Sequence, residues 1–205
     1  SKPRYIWIDA AANFPDFANS KENIARDLAL AKDAGFTDIV VDVRPTTGDV
    51  LFKTNIVDQV KFMYAWIGSN YTKVERTATW DYLQAFVDEA RKQGLRIHAA
   101  INTFVGGNQI DGGTGLLYRD QSKAEWATQM NMQTGIVSVM NTSESTKFFN
   151  PAHPEVQTFL CDLLKDLASY DLDGIFLDRG RFLNLQTDFS EESRKQFEEY
   201  MGGIR

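Results

Sequence analysis

Cysteine is almost missing from this chain: Cys161 is the single one among 205 residues. One thiol forms no internal disulfide framework and no multi-cysteine zinc site. Its place in the apolar run "VQTFLCDLL" reads as buried filler. Histidine is nearly as scarce. His98 and His153 stand far apart and share no acidic residue at ligand spacing, so no metal site is indicated. No apolar run approaches the roughly 20 residues that cross a bilayer, so no membrane span is expected. The start, "SKPRYIWIDA", lacks the apolar core of a signal peptide, which reads as a cytosolic protein or one shown without its leader. Acidic residues outnumber basic ones, for a net charge of -6. No basic stretch is available to neutralise a row of phosphates, so nucleic acid is not an expected partner.

What is present suffices for a core: 43% of residues are hydrophobic and 12% aromatic, enough for one domain or most of a larger one. Four β-rich runs stand out, Tyr5 to Ile8, Asp38 to Val43, Arg96 to Ile101 and Gly174 to Leu177. Each reads as a strand buried on both faces, as parallel strands are. Helical patterns follow them: "ENIARDLALAKDAG" after a Ser20 cap, "WDYLQAFVDEARKQG" closed by Gly94, "PEVQTFLCDLLKDLASY" opened by Pro154, and "SEESRKQFEEYMGG".

Four β-α units imply right-handed crossovers in an α/β fold with a parallel sheet, either doubly wound or of the (β/α) TIM-barrel type. The first turn, "DAAANFPDF", has no glycine-rich phosphate fingerprint, which favours the barrel. A full barrel takes eight strands and about 250 residues. The expectation is therefore a partial barrel over 1–205, the N-terminal portion of one domain. Its remaining strands would come from the same parent chain or from a partner copy. Long loops over about 45–79 and 103–150 are expected to carry function or local structure, and "TGIVSVMN" reads as a strand or hairpin within the second.

In such folds the chemistry sits at the strand C-termini. Asp178 ends the fourth strand and, by alternation, points the same way as Phe176. Asp171 and Asp173 precede that strand in turn chemistry, "DLDG", and read as structural. Arg44 ends the second strand and is a candidate for orienting a substrate hydroxyl or holding a carboxylate ionised; an ion pair with Asp9 or Asp42 is the alternative. Asp9, Asp49 and Asn102 also follow strand ends, and an amide there suits sugar hydroxyls. His98 points with Ala100 and Asn102, as a core histidine or beneath the site floor. His153 beside Pro154 reads as a cap. Trp7 and Trp80 read as packing. Trp66 and Trp126 lie in the long loops, where aromatic faces are natural platforms for sugar rings.

The stretches "RYIWID", "VDVRPTTGDVLFKT", "WDYLQAFVDEARKQGLRIHAAIN", "GLLYRDQSKAEW", "FFNPAHPEVQTFLCDLL" and "YDLDGIFLDRGRF" follow one another along the whole chain. In that order they resemble the glycosyl-hydrolase-like family 10 proteins, TIM-barrel relatives of the α-amylase superfamily. The specific part is "NPAHPEV" with "YDLDGIFLD" some twenty residues later.

The resemblance implies hydrolysis of glycosidic bonds in a bacterial or dietary oligo- or polysaccharide, with Asp178 as nucleophile or charge stabiliser. It also implies no cofactor and an extracytoplasmic location. A retaining glycosidase needs a second carboxyl about 5–5.5 Å from the first, expected from a later strand. Two rivals are a carbohydrate-binding barrel without hydrolysis, and a metal-assisted hydrolase with Asp9, His98 and Asp178 as ligands.

Overall fold

Apolar runs bounded by turn residues become the four parallel strands of the computed structural model, which describes residues 2–180 and 183–187. In chain order, β1 (Tyr5–Ile8) leads into α1 (Ala10–Phe17) and α2 (Lys21–Asp33), then β2 (Asp38–Arg44). A hairpin of β3 (Phe62–Ile67) and β4 (Asn70–Glu75) precedes α3 (Tyr82–Gln93) and β5 (Arg96–Asn102). After β5 come β6 (Val105–Asn108), the short α4 (Leu116–Arg119), the hairpin β7 (Gln129–Met132) with β8 (Gly135–Ser138), and β9 (Thr146–Phe148). The long α5 (Pro154–Leu167) leads to β10 (Gly174–Gly180) and β11 (Leu183–Thr187). The expected last helix, over 190–203, lies outside the described residues.

The main sheet has the order β1-β2-β5-β10-β11. The first four strands pair in parallel. Each crossover moves to the next strand in the same direction, without the reversal that marks a doubly wound sheet. Beyond β10 the parallel run stops, because β11 pairs with it antiparallel.

Side chains alternate between the faces of these strands. One set, Ile39, Val41, Val43, Ile97, Ala99, Ile101, Ile175 and Leu177, joins the buried cluster formed with Leu28, Phe86, Leu160 and Leu164 of the helices. The other face carries Tyr5, Trp7, His98 and Phe176, whose rings meet at 5.2–6.2 Å. Trp7 is 49% exposed there.

Local chemistry fixes the helix ends. Ser20 and Asp81 cap α2 and α3 through side-chain oxygens, Gly94 closes α3 in the left-handed region at φ 71°, and His153 Nδ1 accepts the Glu155 N–H at the start of α5. Below the sheet, Arg91 bridges Asp171 and Asp173, and Asp173 also accepts the Ile97 N–H at 2.8 Å. These two carboxylates anchor the approach to β10.

One element departs from expectation, and one long loop carries structure of its own. The segment after β1 is a helix rather than a turn. Asp9 caps it by accepting from the Ala12 N–H at 2.7 Å, and Ala10, Phe14 and Phe17 bury one side of it. Within 45–79 the aromatic-rich β3–β4 hairpin packs against α1. Gly68, at φ 61°, takes the first central position of its two-residue turn, as glycine does in tight hairpins.

Candidate functional site

At the C-terminal ends of the parallel strands lies a pocket of about 140 Å3 lined by Trp7, Asp9, Asp42, Ala100, Asn102 and Asp178, with Ile101 behind them. Its volume is below the roughly 300–1,000 Å3 of pockets for drug-sized ligands. It is therefore the size of a single subsite.

Each polar side chain is set there by its strand. Asp178 continues the Phe176 face of β10 and lies level with Asn102 in the β5 register. Its backbone carbonyl accepts the Thr103 N–H at 3.0 Å, which ties the two strand ends together. Asn102 is 5% exposed. Its Nδ2 donates to the Arg44 carbonyl at 2.7 Å, while its Oδ1 has no hydrogen-bond partner among the described residues. Asp9 spends one oxygen on its helix cap.

Asp42 is the group that reading the sequence missed. It is half-buried and accepts the Arg44 N–H at 3.1 Å and the N–H of Ala10, the first residue of α1. Burial, reinforced by the nearby charges of Asp9 and Asp178, pushes its carboxyl up to about 7, with the two N–H bonds pulling the other way.

Asp42 holds this place by plain alternation with Asp38 and Val40, and a bulge just after it redirects Arg44. Asp42 pairs with Ala100, but Arg44 pairs with Ile101 instead of Asn102. One extra residue in β2 breaks the alternation that would put both side chains on one face.

Arg44 therefore leaves the pocket, against expectation. It is fully buried, and its guanidinium donates to the carbonyls of Asn102 at 2.6 Å, of Thr103 at 3.2 Å and of Val105. It pins the chain after β5, and burial lowers its pKa to about 10. Among the described residues the hydrogen bonds of the guanidinium go to these carbonyls and not to Asp9 or Asp42.

Three more predicted residues are placed elsewhere. Asp49 is 7% exposed and faces a second pocket, of about 150 Å3, where Arg119 bridges it to Asp58. Burial raises Asp49 to about 6, against the lowering effect of Arg119. His98 sits deeper on the same face as the first pocket, with Nε2 2.7 Å from Asp38. Burial alone would raise Asp38, but hydrogen bonds from Arg96, Thr37 and His98 outweigh it and bring the carboxyl down to about 2. Trp126 is 6% exposed, packs on Phe149 and Phe159, and donates its indole N–H to Glu155 at 3.0 Å; it is a core residue. Trp66 is 68% exposed on β3, stacked on Tyr71 at 5.1 Å, and does not line the pocket.

The ligand trio Asp9, His98 and Asp178 is not assembled, since His98 is committed to Asp38. Among the described residues no group of three or more His, Cys, Asp or Glu is arranged to hold a metal ion. Trp7, read as packing, instead forms one wall of the pocket.

Known proteins share both the sequence and the fold. An S-layer-related protein of Niallia circulans is 30% identical over 203 residues, which cover 96% of this chain and 12% of that protein. The chain thus spans about an eighth of that relative's length. Among solved structures, a hypothetical protein from Ruminiclostridium thermocellum matches with a TM-score of 0.55 at 15% identity, over 98% of this chain and 92% of its own. The α-L-fucosidase isoenzyme 2 of Paenibacillus thiaminolyticus matches at 0.59 and 15% identity, over the whole of this chain and 29% of its own. A GH36 α-galactosidase of Geobacillus stearothermophilus matches at 0.53 and 13% identity, over 99% and 25%. At these identities the likeness concerns the fold: α/β with a parallel sheet. The family described as Glycosyl hydrolase-like 10 matches residues 2–202, and the chain belongs to that family.

Proposed function

We propose that this chain is part of a (β/α) barrel that binds a glycan at the strand-end pocket and, in the complete protein, hydrolyses its O-glycosidic bonds with Asp178 as nucleophile or charge stabiliser. The single observation that carries this reading is the grouping of Asp178, Asp42, Asn102 and the half-exposed Trp7 around one small cavity at the C-terminal ends of parallel strands. Family membership and the glycosidase neighbours support a glycan as ligand.

The barrel reading draws on the one-directional strand order and on the exposed second face of the sheet. Tyr5 and Trp7 there are 37% and 49% exposed, and β1 pairs with β2 alone among the described strands. Further strands, from the parent chain or a partner copy, would cover that face. The 1–205 segment is then the N-terminal portion of the domain.

A second reading, glycan binding without hydrolysis, is favoured by strand spacing. Asp42 and Asp178 stand on strands separated by β5, so their backbones lie roughly 10 Å apart at about 4.8 Å per strand. A retaining pair needs carboxyl groups about 5–5.5 Å apart, closer than that backbone spacing. An extracytoplasmic location is supported by the S-layer-related relative. Among the described residues no helix is long and apolar enough to cross a membrane.

The test is Asp178→Asn in the parent protein against a panel of glycans that includes peptidoglycan strands. Loss of turnover with binding retained is expected of a nucleophile. Unchanged turnover would remove Asp178 from that role.

A further inference from the structure

The second pocket, of about 150 Å3, is lined by Asp49, Asp58, Lys61, Phe62, Thr114 and Arg119 among others, and among the described residues it shares no lining residue with the strand-end pocket. Phe62 opens β3. Alternation puts Tyr64 and Trp66 on the same side of the hairpin, with Lys73 and Tyr71 opposite them on β4. The reverse side is the packed one, where Met63 and Ala65 are buried. The rings follow one another outward from the cavity's edge. Phe62 meets Tyr64 at 6.0 Å, Tyr64 meets Tyr71 at 5.3 Å, and Tyr71 meets Trp66 at 5.1 Å with planes 15° apart. From Phe62 to Trp66 the strip runs about 13 Å along β3 at the usual strand rise, long enough for more than one sugar ring.

The inner part of the strip is held in place. The Tyr64 hydroxyl donates to Asp111 at 2.9 Å, and Lys73 pairs with the same carboxylate at 2.9 Å. Asp111, in the left-handed region at φ 52°, thereby ties its turn to the hairpin. The outer rings are open, with Trp66 68% and Tyr71 58% exposed. The surface limits what can occupy it. Two rings so exposed offer roughly 200–300 Å2, against about 800 Å2 on each side of a stable protein interface. Charges of both signs are interleaved: Arg119 bridges Asp49 and Asp58, Lys61 stands beside them, and Lys73 pairs with Asp111. Neither sign dominates, which suits an uncharged ligand. The side chains of Arg119 and Asp58 are partly exposed, so a donor and an acceptor for hydroxyl groups stand at the foot of a flat apolar strip.

We infer that this strip and the cavity at its foot form a second glycan site, on which an uncharged polysaccharide stacks against Trp66 and Tyr71 and places a hydroxyl-bearing unit beside Asp58 and Arg119. Sugar rings carry apolar faces and hydroxyl edges, and the site offers a partner for each. The inference rests on the glycan reading above and adds to it a separate holding surface. Two sites on one chain hold a polymer more tightly than either alone. Loss of either should therefore weaken retention of a long chain without abolishing it.

Native electrophoresis of the parent protein in gels containing hydroxyethyl cellulose, glycol chitin or galactomannan, with affinity read from the retardation, tests the strip apart from the pocket. For a polysaccharide that retards the wild type, the double variant Trp66→Ala, Tyr71→Ala should lose about 10-fold in affinity, as expected when aromatic anchors are truncated. Its folding is checked by circular dichroism. Trp66→Tyr should keep most of the affinity, because a flat ring remains. Ile67→Ala, exposed on the other side of the hairpin, should leave it unchanged. A folded double variant retarded like the wild type overturns the strip inference and leaves the strand-end reading standing. If sedimentation also shows a wild-type dimer that the double variant dissolves, the patch is a contact between copies. Loss confined to the strip variants, with Asn102→Ala retarded like the wild type, sustains the strip and contradicts the strand-end pocket. A wild type that no polysaccharide in a broad neutral and charged panel retards overturns both.

Discussion

Replacing Asp42 by asparagine should change stability in a pH-dependent way, with a gain that emerges only towards neutral and alkaline pH. In the fold the carboxyl is held at about 7, from an ordinary 3.8. The folded state therefore keeps its proton across a range in which the unfolded chain has already lost it. Stability then falls as pH rises from about 4 to about 7, by up to ~1.4 kcal/mol per pH unit, and levels off above. The full difference is about 4 kcal/mol. Asparagine carries no such charge, but it offers one oxygen where two N–H groups need acceptors, a loss of about 1–3 kcal/mol. The variant should thus be equal to or weaker than the wild type near pH 5 and more stable by about 1–3 kcal/mol near pH 8. That is a rise in Tm of roughly 2–12 °C for a chain of this size. Asp49, raised to about 6, adds a similar fall between about pH 4 and 6 in both proteins and so cancels in the comparison. Asp38, lowered to about 2, acts in the opposite sense, losing its stabilisation only as pH drops through the acid range. Urea unfolding followed by circular dichroism at a series of pH values gives the difference directly. Wild-type and Asp42→Asn stabilities that run parallel across the series would refute the claim that this carboxyl is buried among like charges.

Other positions separate structure from site. Arg44→Met should cost about 3–5 kcal/mol in urea unfolding, because three buried carbonyls lose their donor, and Arg44→Lys should not restore it, since an ammonium group cannot fork to all three. Trp126→Ala should likewise lower stability by about 3–5 kcal/mol. Trp66→Ala should leave it within about 0.5 kcal/mol, and a Trp66→Ala variant retarded as much as the wild type in glycan affinity electrophoresis would contradict a platform role for the exposed indole.

The main strands were legible because parallel strands are apolar on both faces, and that pattern survives without any knowledge of their partners. The caps at Ser20 and Gly94 were legible because they depend on neighbours in sequence. The β3–β4 hairpin left a signal in "FMYAWIGSNYTKVE", two strand-like runs around a Gly-Ser turn, but within a long segment it reads equally as loop. Asp178 and Asn102 could be placed at the pocket because β5 and β10 keep strict alternation up to their ends. Arg44 was misplaced because β2 does not beyond Asp42: its bulge exists only in the pairing with β5. Trp126 misled for a different reason, since a loop residue can be core when the loop folds back on a helix, here α5. The antiparallel β11 was hidden because pairing direction is set by the chain's path.

The central claim is that a glycan sits among Asp42, Asn102 and Asp178, and binding on a glycan array, with the wild type beside Asn102→Ala and Asp178→Ala, tests it most directly. The wild type should retain at least one glycan class, and each variant, folded by circular dichroism, should lose about 10-fold or more in affinity for it, as expected for a lost charged or buried hydrogen bond. Two folded variants that bind the same glycans as tightly as the wild type would contradict it.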